Sequence, residues 1–507
     1  MFLASKNHSD IVLPLLILSG FIIFVTPIIC PTPVFWMDEA WDTAVAWSWI
    51  NLGKFGNPTY PLDGLDEVFF LHPPLPIILE SVLIKLFGIT PWVIKFWPVT
   101  MGVLGTIFFY LIAKEIFKSK TVAIFGMIYL TFLPLYLTMM FQFRPEIFVS
   151  CFTILTVYLV ILAEKKQNIW LYFGAGVSSA LSFLCHFYGG FLIGAVGLYL
   201  VIEWFKQKDR NTLKCLLFFG VGVVIVLVPY FIWILQNWEI FKVQYFGNLS
   251  NLTALDRFVS NIIREKQRYF SSLKAILIFL LIIFTGGSLL IFKDKFFAPP
   301  FFLCSLYFII FLLGLALFMP NKTLIYITPI LFITALVVSF FISKGVDIKN
   351  RFILFIIRMT GPVSLTIFIV YIITYGLFTE GFLNYQQLLH FNQLLDKNYE
   401  SGVIVGDPTY FIFLPNGLKH NFISDGVLFK WAEGIEPNTL ASLFNEKEVS
   451  ILITSVYTDA NWLKWCKENN NEICLDSILN KYGEMIGTVR RENGYIDYVY
   501  KLNISNL

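Results

Sequence analysis

Long apolar runs alternate with short polar breaks along this chain, and that rhythm predicts most of its elements. About eleven runs have the roughly 20-residue length that a hydrocarbon core demands. They cover residues 11–30, 91–117, 119–139, 145–163, 169–186, 188–205, 213–235, 273–292, 299–318, 323–343 and 353–378. No small-residue cleavage site follows the first run, so it is expected to stay as a span and not to leave as a signal peptide. Three segments break the rhythm: about 31–90, about 236–272, and everything from about 380 onward.

The first of these segments has a pattern of its own. Trp41, Val45, Trp49 and Leu52 recur at helical spacing, and Gly53 ends the run. "LPIILESVLIKLFG", Leu75 to Gly88, is apolar but too short to span. Both stretches predict helices lying in the membrane interface, with Trp at headgroup depth and with Glu80 and Lys85 turned to water or headgroups. In the last segment "GVIVGD", "VSILITS" and "GTVRRENGYIDYVYKL" predict strands, and Asn493-Gly494 predicts a hairpin turn. "NTLASLFNEKE" and "ANWLKWCKEN" predict amphipathic helices between them. The expected architecture is a transmembrane domain over 1–379 and a small α/β domain over 380–507 outside the membrane.

Composition agrees with the pattern. The chain has 507 residues, 57% hydrophobic and 14% charged, where a soluble protein carries about a quarter charged residues. This is the signature of a polytopic α-helical membrane protein whose partner is the lipid bilayer. A net charge of +3 with no basic run gives no case for nucleic acid. Five cysteines (Cys30, Cys151, Cys185, Cys215 and Cys304) fall in or beside apolar runs and read as small hydrophobes. Cys466 and Cys474 share a polar region and could pair. No spacing of His and Cys suggests a metal centre.

Charge becomes informative when it is read by side. With a cytoplasmic N-terminus, every inside loop is basic, from Lys118 and Lys120 through Lys165 and Lys166 to Lys349 and Arg351. The short outside loops hold only Arg144 and Lys322. The positive-inside rule then predicts an inner (plasma) membrane protein with segments 31–90 and 380–507 outside.

On that outer side the costly residues collect. Asp38, Glu39 and Asp42 follow the first span, His72 lies in "FLHPPLP", Arg144 and Glu146 in "FQFRPEIF", His186 in "LCHFYGG" and Lys322 in "MPNKTLIYITP". Ionisable groups near hydrocarbon need a partner, water or a task. Acids at a helix start can simply serve the dipole, yet Asp38 and Asp42, four apart, would share a face and repel. A lone histidine such as His186 is more often a satisfied core residue. Five separate segments converging on one face predict a site there.

"MDEAW" after the first span, "LHPPLPIILESVLIKLFG", "KFWPVTMGVLGTIFFYLIAKEIF", "FRPE" and "NKTLIYITPILFITAL" follow in a familiar order. Over about residues 11 to 345 this resembles the GT-C fold glycosyltransferases of the protein O-mannosyltransferase and aminoarabinose transferase-like family. The resemblance implies transfer of a sugar from a polyprenyl-phosphate donor to an acceptor hydroxyl at the outer face. It implies that Asp38 acts at the acceptor. It implies further that Glu146 is the acid near the start of the fourth span, and that Lys322, with Tyr326 and Pro329, is the cation before the Tyr-x-x-Pro run. The β-trefoil insert of eukaryotic protein mannosyltransferases is absent.

Elementary chemistry suits these roles. A phosphate leaving group needs cations, which Arg144 supplies as a fork and Lys322 as a point charge. The hydroxyl needs a base, for which Asp38 is the first candidate, with Glu39 as a supporting or metal-facing partner and Asp42 as a structural acid. Inversion at the anomeric carbon is expected. No cofactor is required. Mg²⁺ or Mn²⁺ on Asp38, Glu39 and Glu146 and a metal-free site fit the residues equally. The runner-up is a transporter or flippase of a lipid-linked intermediate, which would carry polar groups at mid-depth. A scaffold presenting the C-terminal domain would leave the charged cluster without a purpose.

Overall fold

The computed structural model describes residues 34–35, 37–246, 254–291, 299–319, 323–343 and 383–399, and, beyond these, 401, 403–406, 410–411, 414, 418–419, 422–424, 447–454, 483–490 and 496–502. The expected spans 11–30 and 353–378, Lys322, Cys466, Cys474, the Asn493-Gly494 turn and the two expected C-terminal helices lie outside the described residues.

The first outer segment opens with a two-residue strand, β1 (Val34–Phe35), and continues into α1 (Met37–Leu52) and α2 (Leu75–Phe87). Gly53, at φ +70°, ends α1 in a conformation that only glycine adopts without strain. The helices are where the periodicity puts them, but α1 is buried almost all round. Ala40, Ala44, Val45, Ala46 and Trp47 have no more than 2% of their surface exposed. Small alanines let α2 approach on one side, and C-terminal residues cover another. Glu80 corrects the expectation most clearly. It is fully buried, because the polar face of α2 turns inward to meet Thr43 of α1. Lys85 is exposed, as expected.

The bundle follows. Helix α3 (Pro91–Phe117) starts at Thr90, whose hydroxyl accepts from the Val93 N–H, with Pro91 in the first turn where a missing N–H costs nothing. Next come α4 (Lys120–Thr131) and α5 (Pro134–Met140), bent by 71° where one span over 119–139 was expected. Pro134 explains the break: it lacks the N–H and disfavours helical backbone in the residue before it. The chain continues through α6 (Pro145–Lys166), α7 (Ile169–Cys185), a 3₁₀ turn (Phe187–Gly189), α8 (Gly190–Gln207), α9 (Arg210–Gln236) and α10 (Trp238–Phe246). It ends with α11 (Ala254–Phe270), α12 (Leu273–Ile291), α13 (Pro299–Phe318), a 3₁₀ segment (Leu324–Ile330) and α14 (Leu331–Ser343).

Six helices are long and apolar enough to cross a membrane, or up to eight if each bent pair is one span, and α7 is a shorter apolar helix. Together these correspond to the nine expected spans that lie within the described residues. The protein is therefore a polytopic helical membrane protein. The segment from Leu324 and helix α6 are the most enclosed, and α9 the least. Helices α3, α6 and α8 begin, and α5, α7 and α9 end, at one end of the bundle. At the other end Lys118, Gln167 and Lys208 close their helices in the left-handed conformation beside Lys114, Lys165, Lys166 and Lys206.

The C-terminal region adds β2 (Leu383–Asn384), α15 (Tyr385–Asn398), β3 (Val403–Gly406), β4 (Phe422–Ser424), β5 (Val449–Thr454), β6 (Gly483–Arg490) and β7 (Ile496–Leu502). Strand β2 pairs antiparallel with β1, Val34 opposite Asn384 and Phe35 opposite Leu383. The other five form a mixed sheet in the order β4-β3-β5-β7-β6. Both neighbours of β3 run parallel to it, while β7 runs antiparallel to β5 and β6. Central β5 buries Ile451, Leu452 and Ile453, residues on both faces, as a covered strand must. The Trp47 ring of α1 meets Phe411 edge-on at 5.6 Å, so this domain sits at the end of the bundle where α3, α6 and α8 begin.

Candidate active site

The first turn of α1 brings Asp38 and Glu39 to that end, and the break between α5 and α6 brings Phe143 and Arg144 to meet them. Arg144 Nη1 donates to Asp38 Oδ2. The other edge of the guanidinium forms a fork on Glu146, Nε to Oε2 at 3.1 Å and Nη2 to Oε1 at 3.2 Å. Glu146 is fully buried in the first turn of α6, where an anion also suits the helix dipole. The Asp38 side chain keeps 24% of its surface exposed and the Arg144 side chain 8%. Asp38 is therefore the acid of this group that a ligand can reach.

Glu39 points the opposite way. It is fully buried, and its Oε1 accepts from Lys95 Nζ of α3 and from the Phe143 backbone N–H, each at 2.5 Å. Asp42, one turn on, takes His72 instead, Oδ1 to Nδ1 at 2.9 Å. Burial works against the imidazolium, but the charge and hydrogen bond of Asp42, with Asp38 behind it, outweigh burial and raise His72 to about 9. The pair is an imidazolium–carboxylate pair at neutral pH. Glu80 differs again. Its Oε1 accepts from the Thr43 hydroxyl at 2.7 Å, and its Oε2 is buried with no hydrogen-bond partner among the described residues. Burial first, then the nearby Asp42 and Glu39 carboxylates, push it well above the carboxylate range, so it is a neutral acid.

The far wall of the site is aromatic. His186 follows α7 and stacks on Tyr188 at 3.9 Å, with Tyr326 at 5.5 Å and His72 at 6.4 Å. Burial, and then the cations at His72 and Arg144, lower His186 well below its ordinary value and keep it neutral. That fits a satisfied core histidine: its Nδ1 accepts from the Tyr188 N–H. Tyr326 comes from the 3₁₀ segment that precedes α14, where Pro329 cannot donate a helical bond. It lies within electrostatic reach of Arg144 and Glu146.

Two cations here escape a reading of the sequence. Lys95 stands in the second turn of an apolar span, and a lone cation there is a signal in itself. Arg268 of α11 is fully buried against the site. Its Nε donates to Glu265 at 2.8 Å, its Nη1 to the Thr323 carbonyl at 2.5 Å, and its guanidinium lies 5.9 Å over Tyr326. Among the many charges of α11 nothing marks it. The structure thus joins Asp38, Glu39, Arg144, Glu146, His72 and Tyr326 in one cluster and adds Lys95 and Arg268. Lys322 directly precedes Thr323, whose carbonyl Arg268 holds.

A divalent ion fits these residues poorly. Asp38 and Glu146 are both committed to Arg144, and Glu39 to Lys95 and a backbone N–H. Among the described residues no group of three His, Cys, Asp or Glu could hold a metal. The central turns of the described spans carry no Asp, Glu, Lys or Arg. The ionisable residues lie at the ends of the helices, where a transporter would place some at mid-depth.

Comparison with known proteins agrees with this arrangement. Residues 71–233 match the family described as dolichyl-phosphate-mannose-protein mannosyltransferase. An uncharacterized protein of Aquifex aeolicus is 23% identical over 259 residues, and the chain spans about half the length (49%) of that curated relative. The fold is similar to ArnT of Cupriavidus metallidurans bound to undecaprenyl phosphate, with a TM-score of 0.61, 12% identity and 98% of both chains covered. It is also similar to AglB, the archaeal oligosaccharyltransferase of Archaeoglobus fulgidus in complex with an inhibitory peptide and a dolichol-phosphate. There the TM-score is 0.57 and the identity 12%, over 97% of this chain and 74% of the other. The chain belongs with the GT-C fold glycosyltransferases of the protein O-mannosyltransferase and ArnT-like family.

Proposed function

We propose that this protein transfers a sugar from a polyprenyl-phosphate donor to an acceptor hydroxyl at the outer face of the membrane. The observation that carries the reading is the contact of a partly exposed carboxylate, Asp38, with a forked cation, Arg144, beside Tyr326. One residue can take a proton, and its partner can meet a phosphate. The likeness in fold to proteins solved with undecaprenyl phosphate and dolichol-phosphate supports a donor of that chemical class.

In the proposed step the acceptor oxygen attacks the anomeric carbon and its proton passes to Asp38. The bond from that carbon to the phosphate oxygen breaks, and the electron pair leaves with the polyprenyl phosphate. Arg144, Lys322 and Tyr326 stabilise the charge that develops there. Attack from the face opposite the phosphate inverts the anomeric centre. Glu146 holds the guanidinium flat, and the His72–Asp42 pair supports the wall next to it. The reading needs no metal, because the cations that meet the phosphate are side chains. With the basic end of the bundle in the cytoplasm, the cluster and the C-terminal domain face outward.

The test is turnover of polyprenyl-phosphate sugars by the purified protein in lipid nanodiscs. Asp38→Asn should remain folded and lose about 10²- to 10⁴-fold in rate, the usual contribution of a general base. Wild-type turnover by that variant, or no consumption of any donor in a broad panel with acceptors present, would overturn the proposal.

A further inference from the structure

The contact between Asp38 and Arg144 is flanked by its two chain neighbours. Glu39 follows Asp38, and Phe143 precedes Arg144. The structure bonds those neighbours to each other, since the Phe143 N–H donates to Glu39 Oε1, and Lys95 Nζ donates to the same oxygen. Three elements therefore meet at one atom: the first turn of α1, the second turn of α3, and the break before α6. We infer that Glu39 and Lys95 are positioning residues for the transfer, a clamp that sets Asp38 against Arg144 and does not itself touch substrate. The inference deepens the glycosyltransferase reading and rests on it.

Burial separates the two acids. Glu39 is fully buried and the Lys95 side chain is 7% exposed, whereas Asp38 is 24% exposed. A carboxylate with no open surface cannot receive a hydroxyl proton from an acceptor. It can, however, supply an acceptor oxygen where the backbone lacks one. Phe143 lies outside both helices, between Met140, which ends α5, and Pro145, which opens α6. An N–H in such a break has no partner within a helix and must find one elsewhere. Glu39 provides that partner, and the Phe143 ring, fully buried and 5.7 Å from Phe148, holds the break from its other side. Arg144 is the next residue, so its position follows from that of Phe143.

Lys95 is what allows the carboxylate to be there. A buried carboxylate without a cation takes up a proton or draws in water. The groups facing Lys95 are Glu39 and, within electrostatic reach, the neutral Glu80. Asp42 is occupied by His72. Loss of the ammonium would leave Glu39 as a buried carboxylate with only the amide to hold it. A neutral glutamine would still offer Phe143 an oxygen and would need no cation.

Two variants and two readouts test the clamp. In Lys95→Met, hydrogen exchange at the Phe143 amide should accelerate at least about 10-fold while the inner amides of α6 keep their protection. In the same variant kcat should fall at least about 10-fold with the donor KM within about 3-fold. The double variant Glu39→Gln/Lys95→Met should return both exchange and kcat to within about 3-fold of wild type. A stabilising ion pair with no positioning role would instead lose protein to unfolding, with no recovery of kcat in the double variant. Wild-type exchange at Phe143 in Lys95→Met overturns the clamp, and so does accelerated exchange with unchanged kcat. Exchange is read without any donor, so an inert wild-type protein would defeat the transferase reading while the exchange data alone decide whether the clamp exists.

Discussion

A carboxyl group sealed from water and given no cation of its own is stable in one form only, the neutral one, and Glu80 is in that form. The consequence for stability has a definite sign. Its folded value is raised above the ordinary 4.5, so between those values the folded protein binds a proton that the unfolded chain has lost. Stability then falls as pH rises past about 4.5. Glu80→Gln keeps the Thr43 hydrogen bond and carries no proton to lose. Melting curves should show the variant equal to wild type at pH 4 and more stable at pH 7, the gain growing by on the order of 1 kcal/mol per pH unit. A variant no more stable than wild type at pH 8 would mean that Glu80 is ionised in the fold. At this scale the sequence is half legible. Asp38, Arg144 and Glu146 can be found because ionisable residues at the edge of apolar runs are costly and all fall on one side. The partition of roles among them cannot. Asp38, Glu39, Asp42 and Glu80 are alike as letters, yet they take an arginine, a lysine, a histidine and a threonine. Those partners come from 30 to 106 positions away, and only the packing of α1 against α2, α3 and the α5–α6 break selects them.

Elements were more legible than residues, because a 20-residue apolar run in lipid has one way to satisfy its backbone. Of the spans within the described residues, 91–117 and 299–318 match helix limits to the residue. The misfits fall at proline. Pro134 splits one expected span, and Pro329 turns the start of another into a 3₁₀ segment, so these breaks position Arg144 and Tyr326. What hydropathy could not show is which helices touch. Helices α7 and α9 meet at two glycines. A Cβ on Gly176 would stand 2.1 Å from the Phe219 carbonyl oxygen, and one on Gly222 would stand 2.3 Å from that of Phe173. Small residues at such a crossing let two backbones pack directly. Gly176→Ala should therefore destabilise the protein by about 1–3 kcal/mol, the usual cost of overpacking, despite the better helix propensity of alanine. Gly194→Ala on α8 meets nothing within 4 Å and should be neutral or stabilise by up to about 1 kcal/mol. Thermal unfolding in one detergent compares the two, and equal shifts would contradict the close crossing.

At the scale of the whole molecule, the helix with the three acids is held from two sides that the chain separates by more than 300 residues. Helix α2 covers one side of α1. On the other, β1 just before α1 pairs with β2, and Trp47 within it receives Phe411. The division into a membrane domain and a small outer domain is readable from composition, but their docking is not, because one aromatic contact and a two-residue strand pair leave no pattern in sequence. The docking also has a physical motive. Trp47 is 2% exposed, and without the C-terminal region a large aromatic ring would face water beside the site. Trp47→Ala removes the ring that Phe411 contacts and leaves the Asp38–Arg144 and Glu39–Lys95 bonds in place. The C-terminal domain of that variant should be cut by protease at least several-fold faster than in wild type, while the helical bundle resists as before. Transfer should slow by a smaller factor than in Asp38→Asn, because α1 loses one of its two supports but keeps its reacting acid. Trp49→Ala, at a ring already 39% exposed at the end of the same helix, should change neither rate. If Trp47→Ala leaves proteolysis unchanged, the C-terminal domain is held by contacts other than this ring.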